Sequence, residues 1–159
     1  MIILGIDPGT KITGYGIIEK SNTTLSNITY GEIKIGRGDS LAACLKTIHD
    51  RLTAIIAEWK PDAVAIEDIF YGKNVQSLIK QGQARGVAIL TAPQSNIPIY
   101  EYTPLEIKKA VVGYGRAEKS QVQFMVKAIL KLPELPPADA SDALAAAICH
   151  SNFLKLGSL

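Results

Sequence analysis

Apolar residues follow two rhythms along this chain of 159 residues, one of strands and one of helices. Met1-Ile2-Ile3-Leu4-Gly5-Ile6-Asp7 is a nearly continuous apolar run closed by a carboxylate, the pattern of a central strand covered on both faces. Pro8-Gly9-Thr10 turns the chain. Ile12 to Glu19 and Leu25 to Ile35 are further β-rich runs on either side of a turn at Ser21 to Thr24, so the first three strands form an antiparallel meander. Gly36, Gly38 and Asp39 break the pattern and Ser40 supplies an N-cap. Leu41, Cys44, Leu45, Ile48, Leu52, Ile55, Ile56 and Trp59 then recur at helical spacing. After Pro61-Asp62, Ala63-Val64-Ala65-Ile66-Glu67-Asp68 reads as a second buried strand ending in acids. A helix joining two buried strands is a crossover, so the strands should run parallel and end on the same edge.

The second half is mostly helical. Phe70-Tyr71-Gly72-Lys73-Asn74 reads as an exposed loop, and Ser77 to Thr91 as a helix with Gly82 and Gly86 four apart. Each glycine costs a helix about 1 kcal/mol, so a close approach is expected there, to the sheet or to a second copy of the helix. Ile97 to Tyr102 is a strand, Thr103 caps a short helix from Pro104, and Gly113-Tyr114-Gly115-Arg116 is a basic connection. A helix from Glu118 to Leu132 and a last one from the Ala138 region to about Phe153 flank the segment Pro133 to Pro137. With no repeat, low-complexity stretch or linker, residues 1–159 are expected to be one α/β domain.

Composition changes this picture little: 47% hydrophobic and 20% charged residues are ordinary for a globular domain. The distribution of charge says more than the net value of +2. Between Phe70 and Lys127 stand Lys73, Lys80, Arg85, Lys108, Lys109, Arg116, Lys119 and Lys127, opposed by Glu101, Glu106 and Glu118 alone. A basic middle beside acidic clusters suits a polyanion that must also meet a metal. Cys44 and Cys149, far apart, fit buried small hydrophobes better than a zinc knuckle or redox pair. No run approaches the roughly 20 apolar residues of a membrane span, and the N-terminus lacks a signal-peptide pattern, so a cytoplasmic protein without a membrane partner is expected.

Candidate chemistry rests on four acids. In Ala138-Asp139-Ala140-Ser141-Asp142-Ala143-Leu144 two carboxylates lie one helical turn apart and repel one another, which a cation or the helix dipole could offset. The parallel strands bring Asp7 and Glu67 to one edge, where ligands gather in sheets of this kind. Asp68, by alternation, should face away. Four hard oxygen donors with no histidine or thiolate suit Mg²⁺ or Mn²⁺, and a pair of such ions about 4 Å apart serves phosphoryl displacement in nucleases and polymerases. His150 lies roughly 16 Å beyond Asp139 along the helix and reads as structural. Phe70 beside Lys73 suits stacking on a base and holding a phosphate. The stretch Gly5 to Thr10 with Gly14 also fits the phosphate-binding hairpin of actin-like ATPases, which need a second domain that this length does not accommodate.

The motifs together resemble the RuvC-type Holliday-junction resolvases. The resemblance is carried by Leu4-Gly5-Ile6-Asp7-Pro8-Gly9-Thr10 with Gly14-Tyr15-Gly16, by Ile66-Glu67, Lys73-Asn74, Gly82-Gln83-Ala84-Arg85-Gly86-Val87-Ala88 and Val111-Val112-Gly113, and by Ala117-Glu118-Lys119-Ser120-Gln121-Val122 and the Ala138 to Leu144 run. It implies a ribonuclease H-like mixed five-stranded sheet, antiparallel meander plus parallel strands, flanked by helices. It further implies a homodimer, with the helix of Gly82 and Gly86 as its candidate interface, that nicks a four-way DNA junction symmetrically and leaves 5′-phosphate and 3′-hydroxyl ends. By resemblance the metal ligands are Asp7, Glu67, Asp139 and Asp142, for two Mg²⁺ ions with Mn²⁺ as a substitute. Lys119 joins the catalytic set, and Phe70, Lys73, Asn74, Lys108, Arg116 and Lys119 meet DNA. A branch-migration motor of the RuvA and RuvB type is the implied partner. The four acids alone leave open a related nuclease acting on RNA or flaps. A junction-binding module without catalysis and a small nucleotide-binding fragment are two further readings, and the complete acid quartet argues against both.

Overall fold

Alternation along the first strand divides the molecule into its layers. The computed structural model describes residues 1–68 and 74–156. In β1 (Ile2–Asp7), Ile3 and Gly5 face one side of the sheet and Leu4 and Ile6 the other, and all four are buried. β2 (Ile12–Ser21) and β3 (Thr24–Lys34) complete the antiparallel meander, with a register shift between Ile17 and Ile18. α1 (Leu41–Trp59) crosses over to β4 (Ala63–Glu67), which pairs parallel with β1; α2 (Val75–Gln94) leads to β5 (Ile99–Tyr102), parallel to β4. Sheet order is β3-β2-β1-β4-β5. α3 (Pro104–Val112), α4 (Lys119–Leu130) and α5 (Ala138–Leu156) follow.

The expected crossover, meander and five strands are all present, with ends displaced by a few residues. Ser40 caps α1 through the Ala43 N–H at 3.2 Å, and Thr103 caps α3 in a reciprocal pairing with Glu106. β5 begins two residues later than the pattern suggests, because Ile97 still donates to the Ala92 carbonyl and Pro98 has no N–H to give a ladder. α4 ends at Leu130, where Lys131 takes a left-handed conformation at φ 52° and stops the helix.

Two apolar cores lie on opposite faces. Leu4, Ile6, Ile17, Val64 and Ile66 pack under α1 and α2, and both cysteines are buried, Cys44 on this side and Cys149 on the other. Ile3, Ile18, Ala65 and Tyr102 pack under α5, which α3 and α4 cover in turn. α5 is therefore an interior helix: Ala143 to His150 are all buried. An interior helix lacks a polar face, and the alanines let it sit close. The closeness is extreme over β1 and β2. A Cβ on Gly5 would lie 1.9 Å from the Ala143 carbonyl oxygen, and one on Gly14 would lie 2.0 Å from that of Asp139.

His150 closes this core. Its Nδ1 is 2.7 Å from the Tyr102 hydroxyl and its ring stacks on Tyr100 with centroids 4.2 Å apart. Burial, reinforced by Lys20, pushes its pKa below the usual histidine value. The unfolded chain then binds the extra proton first, so this contribution to stability is complete above a pH of about 6.5 and is lost as pH falls through the lowered folded value. Between pH 7.5 and pH 5.5 the urea midpoint of the parent should therefore fall relative to that of His150→Asn, the other groups that titrate in this window acting on both proteins alike.

Candidate active site

β1 and β4 run side by side, with Ile6 opposite Ile66, so Asp7 and Glu67 end neighbouring strands at the carboxyl edge. Asp7 continues the Ile3 and Gly5 side, and Glu67 the Ala65 side; both point under α5. The first turns of α5 bring Asp139 and Asp142 over the same edge. Asp7 is directly opposite Gly14 in the ladder, and Gly14 is the residue on which the Asp139 backbone rests. A bare glycine thus sets the height of the helix above the strand end.

Electrostatics confirm that these four acids share one neighbourhood. Burial, then Asp142, Glu67 and Asp139, push the Asp7 carboxyl up to about 8, against a partial offset from Lys119. Glu67 is raised by burial and by Asp142. Asp142 is raised by burial, while Lys119, whose Nζ donates to Asp142 Oδ2 at 3.1 Å, opposes the shift. The same ion pair raises Lys119. Among the described residues, no three carboxylates, histidines or cysteines are drawn into one ready-made ligand cage. The acids converge without closing, as expected of like charges with one ammonium among them.

Lys119 opens α4, while Lys108 comes from α3. Together with Glu67, Asp142, Ile107 and Val122 they line a cleft of about 230 Å³. Arg116 is exposed on the α3–α4 connection, with no hydrogen bond or ion pair to the acids. Asn74 caps α2, its side-chain oxygen accepting from the Ser77 N–H at 3.2 Å, which leaves its amide NH₂ available. Phe70 and Lys73 lie outside the described residues. His150 is part of the core described above, as expected.

Arg85 is the residue that sequence reasoning misplaced, by counting it with the free surface cations. Its Nε donates to the Glu67 carbonyl at 3.1 Å, and its Nη2 pairs with Glu101 and, at 3.3 Å, with Asp68. Asp68 does face away from Glu67, and Arg85 ties that far side down. A planar guanidinium can bridge a carbonyl and two carboxylates in this way; a lysine cannot. The signal available in sequence was the acid after Glu67, which required a cation from whichever helix covered that face. Of the two approaches expected at the small residues of α2, to the sheet or to a second copy of the helix, Gly86 does not make the first: a Cβ there would meet nothing within 4 Å.

A carboxylate set without nitrogen or sulfur, in which Asp7 is held protonated near neutrality first by desolvation and then by three other acids, fits hard divalent cations. Such a set gains most when a cation arrives. Comparison with known proteins agrees in its own terms. The family model described as "Crossover junction endodeoxyribonuclease RuvC" matches residues 3–150. A relative of that name from Syntrophotalea carbinolica is 53% identical over 159 residues, covering all of this chain and 99% of the relative. One from Geobacter sulfurreducens is 51% identical over 159 residues, covering all of this chain and 97% of its own length. Among solved structures, T. thermophilus RuvC in complex with Holliday junction substrate superposes with a TM-score of 0.92 at 31% identity, covering 99% of this chain and 97% of that one. The yeast mitochondrial Holliday junction resolvase Ydc2 shares the fold, with a TM-score of 0.65 at 13% identity over 98% of this chain and 83% of its own. The interior α5 and the mixed sheet are thus the ribonuclease H-like architecture of a known group, and this chain belongs to the RuvC family of crossover junction endodeoxyribonucleases.

Proposed function

We propose that this protein resolves four-way DNA junctions in recombination and repair, hydrolysing one phosphodiester in each of two like-polarity strands to leave 5′-phosphate and 3′-hydroxyl ends. The observation that carries the reading is Asp7, half-buried at a strand end among three further carboxylates. Asp7, Glu67, Asp139 and Asp142 would hold two Mg²⁺ ions, with Mn²⁺ as a substitute. When bound, such ions supply a water nucleophile at neutral pH and charge stabilisation of the leaving oxygen. The chain's own residues do the rest. Asp7 and Glu67 orient the metal-binding edge from rigid strands, and Asp139 and Asp142 complete it from α5. Lys119 and Lys108 face the cleft beside Glu67 and Asp142, where their charge would bind the non-bridging oxygens of the scissile phosphate. Phe70, Lys73, Asn74 and Arg116 complete the proposed DNA contacts, Phe70 by stacking on a base and the others through phosphate. A resolvase of chromosomal DNA would act in the cytoplasm, in concert with a branch-migration motor of the RuvA and RuvB type. No helix among the described residues is long and apolar enough to cross a membrane.

The direct test incubates the protein with a synthetic four-way junction, a linear duplex and an RNA hybrid, with Mg²⁺ or with chelator. Paired symmetric nicks on the junction alone, requiring the metal, are expected. Cutting of the hybrid in preference to the junction would overturn the reading.

Symmetric nicking calls for two copies, and α2 offers the surface. Val75, Ile79 and Leu90 are 67%, 56% and 49% exposed, and with Gly86 they form one stripe at helical spacing. Replacing Ile79 by Glu in such a stripe should weaken self-association at least about thirtyfold, read by sedimentation, since a central contact is worth about 2 kcal/mol or more. Paired nicks on one junction should then give way to single ones.

A further inference from the structure

A second cavity, of about 610 Å³, lies at the same edge of the sheet as Asp7 but on its other face. Thr10 and Lys11 in the β1–β2 hairpin form one wall, Arg37 and Asp39 in the β3–α1 loop another, and Lys80 of α2 a third, with Cys44 of α1 at the base. The ladder explains why these segments meet: Asp7 pairs with Gly14 and Ile12 with Lys34, so the hairpin tip and the end of β3 emerge together beside the strand end that carries Asp7. The Cys44 thiol donates to the Thr10 carbonyl at 3.3 Å and pins the hairpin to α1.

Cations outnumber carboxylates three to one on the walls of this cavity. Lys11, Arg37 and Lys80 are exposed and have no ion-pair partner among the described residues, in contrast to Arg85, Lys46 and Lys119. The single carboxylate on the wall, Asp39, spends an oxygen on the Gly36 N–H at 3.0 Å. Three cations brought together from three separate elements repel one another, and a chain of phosphates is the ligand that offsets all three at once.

We propose that this cavity is a phosphate-backbone subsite for DNA, seating an arm of the junction on the side of the β1–β2 hairpin away from α5 while the scissile strand lies on the α5 side. The proposal rests on the junction reading above and specifies where the second arm goes. The β1–β2 hairpin is the divider between the two. A linear duplex has no second arm to send around that hairpin, so the cavity discriminates branched from unbranched DNA.

The test is a triple variant, Lys11→Ala, Arg37→Ala and Lys80→Ala, titrated with a four-way junction and with a linear duplex of equal length in chelator, at 50 and 200 mM salt. The three side chains are exposed, so a thermal melt like the parent's is expected. Each phosphate neutralised contributes about 0.9 to the slope of log affinity against log salt. Loss of three such contacts should lower the junction slope by about 2.7, so that raising salt from 50 to 200 mM costs the parent about 40-fold more affinity than the variant. Duplex binding should change far less. A triple Lys11→Arg, Arg37→Lys, Lys80→Arg variant should keep the parent slope. Junction affinity and slope equal to the parent's, or equal losses on junction and duplex, would overturn the subsite. A parent that shows no preference for the junction over the duplex would overturn the functional reading instead.

Discussion

Asp7→Asn should abolish junction cutting, by at least about a thousandfold, while leaving junction affinity within about threefold of the parent. The substitution keeps the side chain's size and removes its charge. The acid is needed for the chemistry, whereas recognition rests on phosphate contacts elsewhere. A second readout separates this role from a structural one. In the metal-free protein Asp7 is held up to about 8 by burial and three acids, so the folded state resists losing a proton that the unfolded chain releases near pH 4. Because the folded pKa is raised, this stabilisation is complete below pH 4 and disappears as pH rises through about 8. The cost of ionising Asp7 at pH 9 is on the order of 5 kcal/mol, or about 10 °C in melting temperature for a chain of this size. With chelator at pH 9, Asp7→Asn should therefore melt above the parent, and saturating Mg²⁺ should reverse the order. A variant that melts lower in chelator would show that Asp7 is not buried among like charges. Loss of junction binding together with cutting would assign it a different function.

Gly14→Ala is expected to have the next largest effect, and for a purely geometric reason. The added Cβ would meet the Asp139 carbonyl oxygen at 2.0 Å and its carbon at 2.3 Å, both backbone atoms that cannot rotate aside. The start of α5 must lift by more than about 1 Å to reach ordinary contact distance, carrying Asp139 and Asp142 away from Asp7 and Glu67. A misplacement of that size costs on the order of a hundredfold in rate. Gly16→Ala is the control. Its Cβ would meet the Leu144 side chain at 2.5 Å and the nearest backbone atom, the Leu144 Cα, only at 3.2 Å, and this contact lies more than a turn along α5 from Asp139, where Gly14 touches the helix. Both variants should lose about 1–3 kcal/mol of stability from overpacking. Only Gly14→Ala should lose most of its cutting while it still binds the junction. Equal cutting by the two would mean that the height of α5 is not set at Gly14.

Much of this arrangement could be read from the sequence. The crossover helix is written in the spacing from Leu41 to Trp59, and the parallel pairing of β1 with β4 follows from it, which alone brings Asp7 to Glu67. The turn spacing of Asp139 and Asp142 is equally plain. What periodicity could not supply was the position of α5. Its apolar residues surround it on all sides, so no face announces which neighbour it will meet, and its interior course emerges only from glycines in two distant strands. Gly5, Gly14 and Gly16 were the available sign, since a strand tolerates glycine poorly unless another backbone approaches. Arg85 was hidden for a related reason: a cation on a half-polar helix looks the same in sequence whether it meets water or two carboxylates. The cavity of Lys11, Arg37 and Lys80 draws on residues from three elements and has no local pattern at all.

The interior course of α5 also has a consequence for biosynthesis. The sheet and both crossover helices are made first, yet they carry only Asp7 and Glu67; the partners of those acids are on α5, made after all of them. Until α5 docks, one face of the sheet is bare and the Asp139 and Asp142 carboxylates are absent from the edge. Domains take shape from the N-terminus during translation, at about 5–20 residues per second. A chain interrupted before α5 thus holds half of the candidate acid set, and the docking that covers the bare face of the sheet is the same step that assembles the other half.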